Sequence, residues 1–363
     1  MQILHVITTT DRGGAENQLV TLVKEQVARG NSVTVVDLFG LAENSGALES
    51  AGVKLQKIRV KNRKILKESY ALRKFLAKKQ FDLIHAHLPR SEIVTVLATL
   101  GKKQIRVSTI HNAEHFTKLP ENISNWIARQ IRNQFDQIIT ITKEVTSYLI
   151  ENQQISSRKS PTTVHYGLEI SPSTKSQLTR QRNVISVARL TKQKRIDVLI
   201  NAAQILKDAH PPITVSIYGE GEDRSKLQEQ IDEAGLSNSF LLKGRTADVQ
   251  KLLQENLVFA LTSEYEGLGL VLLEAMQAGC VIVASDAPAI VEVLGSLVEQ
   301  QAAFVFPRND APKLAELIKH ALDLSESEII RIQSTCLRYL EENFSIQNSC
   351  DQVHEVYRRA LEK

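Results

Sequence analysis

The 363-residue sequence predicts an α/β protein made of two doubly wound, Rossmann-like domains with parallel sheets, facing across a cleft. Three observations carry that expectation. Short β-branched runs alternate with helically spaced stretches along nearly the whole chain. The alternation breaks once, near residue 170, at the polar and turn-rich Ser171-Pro172-Ser173-Thr174-Lys175-Ser176. The length also suits two cores better than one. Charge divides at the same place, since residues 1–170 hold 24 Lys+Arg against 15 Asp+Glu and so carry +9, while the rest carries −5. A basic half beside an acidic half points to an anionic partner for the first.

The elements follow in order. Residues 3–8 are a short apolar run, and residues 15–29 place Leu19, Leu22, Val23 and Val27 at helical spacing until Gly30-Asn31 stops them. Residues 32–39 are a second β-branched strand, so the first forty residues form a βαβ unit with a right-handed crossover. Further strands are expected at 55–59, 83–86, 106–110, 137–142 and 162–165. After the break come strand 184–187, helix 196–209 and strands 213–218, 240–242, 257–261, 281–284 and 303–306. The expected domains are 1–168 and 169–345, followed by a final helix over 346–363 (Val353, Val356, Tyr357, Leu361).

Several classes are excluded. No apolar run is long enough to span a bilayer, and the first residues read as a strand rather than a secretory signal. Cys280, Cys336 and Cys350 lack metal-like spacing and fit reduced thiols in a cytosol. Basic residues are not interleaved with aromatics, which argues against nucleic acid. His85 and His87 share one strand face, but no third ligand stands at fitting spacing and no Asp-x-Asp occurs, so no metal or other cofactor is expected. His111 follows a strand directly, and His115 lies just beyond it.

Four loops carry the chemistry. Ser263-Glu264-Tyr265-Glu266-Gly267-Leu268-Gly269-Leu270 follows a strand and opens a helix, with Glu274 eight residues after Glu266 and two turns into that helix on this reading. Helix N–H groups there favour phosphate or an anionic sugar oxygen, and the carboxylates suit sugar or ribose hydroxyls. Arg189 and Lys194, five apart in a strand-to-helix loop, can grip a diphosphate from two sides. Gly219 and Gly221 allow backbone approach to a nucleotide, and Lys243-Gly244-Arg245 follows the next strand. In the first half, Gly13 and Gly14 precede a helix with Glu16 in its first turn. Asp37 ends the second strand as in dinucleotide-binding folds, but the Gly-x-Gly-x-x-Gly fingerprint is missing.

The stretch from Glu266 to Glu274 resembles the glutamate–eight–glutamate motif of the family 4 retaining glycosyltransferases (GT-B fold, glycosyl transferases group 1), and the resemblance runs over nearly the whole chain. It implies that Glu266 contacts the donor sugar and Glu274 the ribose. The turn Gly267, Leu268, Gly269 and Leu270 would contact sugar and phosphate, with Leu268 where the family usually has an aromatic. Arg189 and Lys194 would hold the diphosphate, and Arg195 stands where the family has glycine. The Gly219 turn resembles a family Gly-x-Gly, and the Lys243 loop resembles the one that contacts the base. His111 matches the active-site histidine that contacts the sugar. Gly13 and Gly14 resemble the loop that approaches donor phosphates, and Glu16 and His87 fall on the acceptor side.

The activity so implied is retaining, metal-independent transfer from a nucleotide-diphosphate sugar, UDP-sugar first and GDP-mannose next, to a hydroxyl of a lipid-linked or cell-envelope glycan. An epimerase or phosphorylase of the same architecture is the alternative. The final helix would return to the first domain. Ten cations from Lys57 to Lys79 against the single acid Glu68 suggest peripheral contact of a cytoplasmic enzyme with an anionic membrane.

Overall fold

The computed structural model describes all residues except 12, 41–42, 61–63, 113–115, 118, 171–179, 209–211, 247 and 363. The Ser171–Ser176 stretch, His115, Lys61 and Arg63 therefore lie outside the described residues. Two compact units emerge, Met1–Glu169 with Phe344–Lys363, and Ile170–Asn343.

Unit 1 alternates β1 (Gln2–Ile7), α1 (Gly14–Ala28), β2 (Ser32–Asp37), α2 (Ser45–Ser50), β3 (Lys54–Lys57), α3 (Ile65–Leu76), β4 (Leu83–His87), α4 (Pro89–Ala98), β5 (Ile105–Ile110), α5 (Glu121–Arg132), β6 (Gln137–Thr140), α6 (Lys143–Glu151) and β7 (Thr162–Thr163). The strands form one parallel sheet in the order β3-β2-β1-β4-β5-β6-β7. Strands buried on both faces read as continuous apolar runs, and alternate side chains of each strand serve different helices. Leu4, Val6, Val36 and Ile84 pack with Leu72 of α3 and Val94 of α4. Ile3, Leu83, Val107 and Ile139 meet Leu22 of α1 on the opposite face.

Unit 2 alternates β8 (Gln181–Val187), α7 (Ile196–Ile205), β9 (Val215–Tyr218), α8 (Arg224–Glu233), β10 (Phe240–Gly244), α9 (Val249–Glu255), β11 (Asn256–Leu261), α10 (Leu270–Ala278), β12 (Val281–Ser285), α11 (Pro288–Leu294), α12 (Ser296–Glu299), β13 (Ala303–Phe306), α13 (Ala311–Asp323) and α14 (Glu326–Phe344). Its parallel sheet runs β10-β9-β8-β11-β12-β13. Asp310 caps α13 by accepting from Lys313 N at 2.9 Å, with a proline in the first turn. Such a cap is worth about 1 kcal/mol.

The chain then turns at Ser345, which caps α15 (Ile346–Leu361) by accepting from Asn348 N at 3.3 Å. This helix belongs to unit 1, where Cys350, Val353, Val356 and Tyr357 join Leu22 and the inner residues of β1, β4, β5 and β6. The return is tied by Leu168 N to Phe344 O and Ile346 N to Leu168 O, both 2.8 Å. Gly167 sits so close that a Cβ would stand 2.5 Å from Ile346 Cα.

Each sheet reverses its strand order once, between β1 and β4 in unit 1 and between β8 and β11 in unit 2. Loops leaving the carboxyl ends of strands at such a switch point are where doubly wound folds bind ligands.

Candidate active-site residues

The two loops singled out in the second half leave the two strands of the unit 2 switch point. Residues 188–195 follow β8 and residues 262–269 follow β11, and hydrogen bonds join them. Glu264 N donates to Gln193 O at 2.8 Å, Gln193 Nε2 to Tyr265 O at 2.8 Å, and Thr262 Oγ1 to Lys194 O at 2.7 Å. At the centre Lys194 Nζ lies 2.5 Å from Glu266 Oε1, and Ser263 Oγ donates to the same oxygen at 2.7 Å. Glu266 is buried, so a carboxylate there needs these donors. Arg189 is exposed, and among the described residues its side chain has only a 3.4 Å bond from Nη2 to Gln193 Oε1.

Helix α10 begins at Leu270, later than the sequence suggested, because Gly269 adopts a left-handed conformation (φ 79°, ψ 57°) and delays the first turn. Glu274 is therefore just over one turn in, not two. It is half-buried, has no hydrogen-bond partner among the described residues, and burial raises its pKa. The Leu268 side chain is buried at 2% exposure, so the sequence's picture of it as part of a sugar-facing surface reduces to its main chain. Leu270 is half-buried.

Arg195 explains its own departure from the family glycine. It takes φ 46°, ψ 44°, a left-handed conformation that glycine adopts freely. The guanidinium is anchored by Asp197 at 2.8 Å, Glu264 at 3.2 Å and Asn309. Gly219 and Gly221 have a packing reason beside the one read in the sequence. A Cβ on Gly219 would collide with the Ala188 carbonyl, and one on Gly221 with the Leu190 carbonyl. Packing of the β9 turn on the β8 loop therefore requires both. Gly244 carries φ 78° and its carbonyl accepts from Gly219 N at 2.9 Å.

In unit 1, Gly13 caps α1 and Gly14 opens it. The Glu16 carboxylate folds back over Gly13, where a Cβ would displace it, and burial raises the Glu16 pKa. Asp37, the acid considered for a ribose, is fully buried and accepts from Thr10 N (2.9 Å), Thr10 Oγ1 (2.5 Å), Gly40 N (2.8 Å) and Arg59 (3.0 Å). It fastens the loop after β1 to that after β2.

The histidines converge. Parallel register puts His5 beside His85, so the His85–His87 pair does have a third neighbour, contrary to the sequence reading. Ligand nitrogens of His5, His85 and His87 lie within 4.8 Å of one another. His5 was missed because it belongs to β1, eighty residues away; a histidine inside an apolar strand was the available signal. Gln26, buried on α1, bonds His5 and was missed for the same reason. His87 Nδ1 is 3.1 Å from His111 Nε2, and His111 also meets the Tyr166 hydroxyl. Both ring nitrogens of His111 are thus engaged. Beside it, a small cavity is lined by Leu88, Glu92, Asn112 and Arg132. There Glu92 and Arg132 form a buried ion pair at 3.3 Å, and Leu88 holds φ 74°, a strained conformation for leucine.

Two doubly wound units, each with a glycine-bearing loop at its switch point, have the architecture of the GT-B glycosyltransferases. The chain belongs to the family 4 glycosyltransferases: residues 12–170 match the Glycosyltransferase Family 4 model and residues 172–333 the Glycosyl transferases group 1 model. It is 36% identical over 100 residues to a poly(ribitol-phosphate) alpha-N-acetylglucosaminyltransferase of Staphylococcus aureus (strain COL), a match covering 28% of this chain and 20% of that one. It is 26% identical over 286 residues to the Campylobacter jejuni GalNAc-alpha-(1->4)-GalNAc-alpha-(1->3)-diNAcBac-PP-undecaprenol alpha-1,4-N-acetyl-D-galactosaminyltransferase, covering 76% of this chain and 77% of that one. The fold matches Anabaena HepE, solved in complex with UDP and glucose, with TM-score 0.81, 20% identity and 98% of each chain covered.

Proposed function

We propose that the chain transfers a sugar, with retention and without a metal, from a nucleotide-diphosphate donor to a hydroxyl of a cell-envelope or lipid-linked glycan. One observation carries this reading: the Lys194–Glu266 pair joins the two loops of the unit 2 switch point, with Glu266 eight residues before Glu274, whose carboxylate has no hydrogen-bond partner among the described residues. The ammonium has three donors and directs one at Glu266, leaving others for diphosphate oxygens. Exposed Arg189 supplies a planar fork for the same group. Lys194 and Ser263 both bond Glu266 at Oε1, and its Oε2 is assigned to a sugar hydroxyl. Glu274 is assigned to the ribose.

In the reaction so read, the acceptor oxygen bonds to the anomeric carbon on the face that the diphosphate leaves. The bond from that carbon to the diphosphate oxygen breaks with its electron pair going to phosphate, and a phosphate oxygen takes the acceptor proton. Arg189, Lys194 and the N-terminus of α10 stabilise the departing charge. A UDP-sugar is favoured as donor, with GDP-mannose next, because HepE was solved with UDP. The envelope acceptor is supported by the relatives' named substrates.

The proposed membrane contact lies on α3. Leu66 (75% exposed) and Tyr70 (70% exposed) project from it among exposed Lys64, Lys67 and Lys74. Glu68, the segment's acid, is buried and paired with Arg90 at 2.9 Å. Arg59 is paired with Asp37 and Arg73 donates to the carbonyls of Ala98 and Leu100, so these two exposed cations are already engaged within the fold. No helix among the described residues is long and apolar enough to cross a membrane.

A thermal-shift screen of UDP-, GDP- and ADP-sugars tests the donor reading, since a bound donor raises Tm by mass action. Proton NMR of the transferred anomer then tests retention; an inverted product would remove that part of the reading.

A further inference from the structure

Gln26, His5, His87, His111 and Tyr166 form one continuous hydrogen-bonded chain inside unit 1. Gln26 Oε1 lies 2.9 Å from His5 Nε2, His5 Nδ1 lies 2.9 Å from His87 Nε2, and His87 Nδ1 lies 3.1 Å from His111 Nε2. His111 Nδ1 then meets the Tyr166 hydroxyl. A side branch leaves the other end of the same amide. Gln26 Nε2 donates to Tyr357 OH at 3.3 Å, which lies 2.6 Å from His85 Nδ1, and His85 Nε2 lies 2.7 Å from Thr109 Oγ1. Every ring nitrogen in the set has one partner.

Burial keeps these imidazoles neutral, lowering the pKa of His5 to about 4 and of His111 to about 3, and those of His85 and His87 well below the ordinary value. A neutral imidazole carries one N–H and one bare nitrogen, so each ring passes on the direction in which it is bonded. The amide oxygen of Gln26 only accepts, which puts the His5 proton on Nε2 and leaves Nδ1 bare. That nitrogen must accept from His87 Nε2–H. The bare Nδ1 of His87 must in turn accept from His111 Nε2–H, and the bare Nδ1 of His111 from the Tyr166 hydroxyl. Turning the amide over would reverse every proton in the line.

We propose that Gln26 is a positioning residue that holds His111 as its Nε2–H tautomer through His5 and His87, so that the Tyr166 proton is directed at His111, beside the cavity that both residues line. These tautomers do not depend on the proposed function.

The test is a long-range proton–nitrogen correlation spectrum of the full chain with ¹⁵N-labelled histidine, at pH 7 and without donor. The cross-peak pattern distinguishes the two tautomers. His5, His87 and His111 are all expected as Nε2–H. An Nδ1–H or mixed pattern at His5, His87 or His111 overturns the proposal. In Gln26→Leu the anchor is gone, and His111 is expected to show both tautomers; a folded Gln26→Leu with His111 still purely Nε2–H also overturns it. If that variant does not fold, the wild-type spectrum decides alone. Excess Zn²⁺ should leave the signals in place, and loss of the His5 and His87 peaks would contradict the chain by showing their nitrogens free to ligate. Because no turnover enters, failure of the proposed activity and failure of this chain are told apart.

Discussion

Lys194 Nζ and Glu266 Oε1 stand 2.5 Å apart with side chains 13% and 8% exposed, an ion pair that closes the gap between the loops after β8 and β11. Its two members lie 72 residues apart, so the pair fixes tertiary rather than local structure. Removing one member of a buried pair leaves an uncompensated charge, which costs about 3–5 kcal/mol when burial is complete. Lys194→Ala and Glu266→Ala should therefore each lower the denaturant midpoint, and the double variant should lose less than the sum. Additive losses in a double-mutant cycle would show that the two groups do not interact.

Arg195 invites a sharper comparison. Arg195→Gly keeps the left-handed backbone and loses the bonds to Asp197 and Glu264, whereas Arg195→Ala loses both. The alanine variant should be less stable than the glycine variant by about 1 kcal/mol. Equal denaturant midpoints would mean that the backbone at this position relaxes without cost.

Much of this was legible in the chain, for physical reasons. The loops carrying Arg189, Lys194 and Glu266 follow strong apolar strands, and glycine and charge at a strand end are local signals. The start of α10 was misplaced because Gly269 permits a left-handed turn before the helix begins. At Gly219 and Gly221 the packing need is invisible locally, because the Ala188 and Leu190 carbonyls that exclude a Cβ come from another strand's loop. His5 and Gln26 were invisible beside His85 because parallel register, not sequence proximity, joins them. The departure at Arg195 was seen at once, but its anchors at Glu264 and Asn309 required the fold.

The buried histidines make stability depend on pH. Above about pH 6.5 folded and unfolded chains both hold these rings neutral, so they have no effect. Below it the unfolded chain takes up protons that His5, His85, His87 and His111 refuse, and stability falls as pH drops from 6.5 towards 4. Each ring contributes up to about 1.4 kcal/mol per pH unit. Unfolding free energies measured between pH 6.5 and 5 should decline more gently in His85→Gln; an unchanged slope would mean that His85 protonates in the folded chain.

On α3, Leu66→Ser with Tyr70→Ser, and separately Lys64, Lys67 and Lys74 changed to Gln, should each reduce flotation with anionic vesicles. Each lysine near the surface contributes about 1 kcal/mol, so the triple variant should bind more weakly and depend less on salt. Flotation equal to wild type in both variants would place any membrane contact elsewhere.

The central claim, that unit 2 grips a nucleotide-sugar diphosphate through Arg189 and Lys194, is tested most directly by calorimetric titration of the full chain with UDP, GDP and ADP in EDTA. One nucleoside diphosphate should bind saturably without metal, and Arg189→Ala should weaken it at least tenfold, as expected for charge-assisted bonds of about 1.5–3 kcal/mol. Binding of none of the three, or binding unchanged in Arg189→Ala and Lys194→Ala, would contradict the claim.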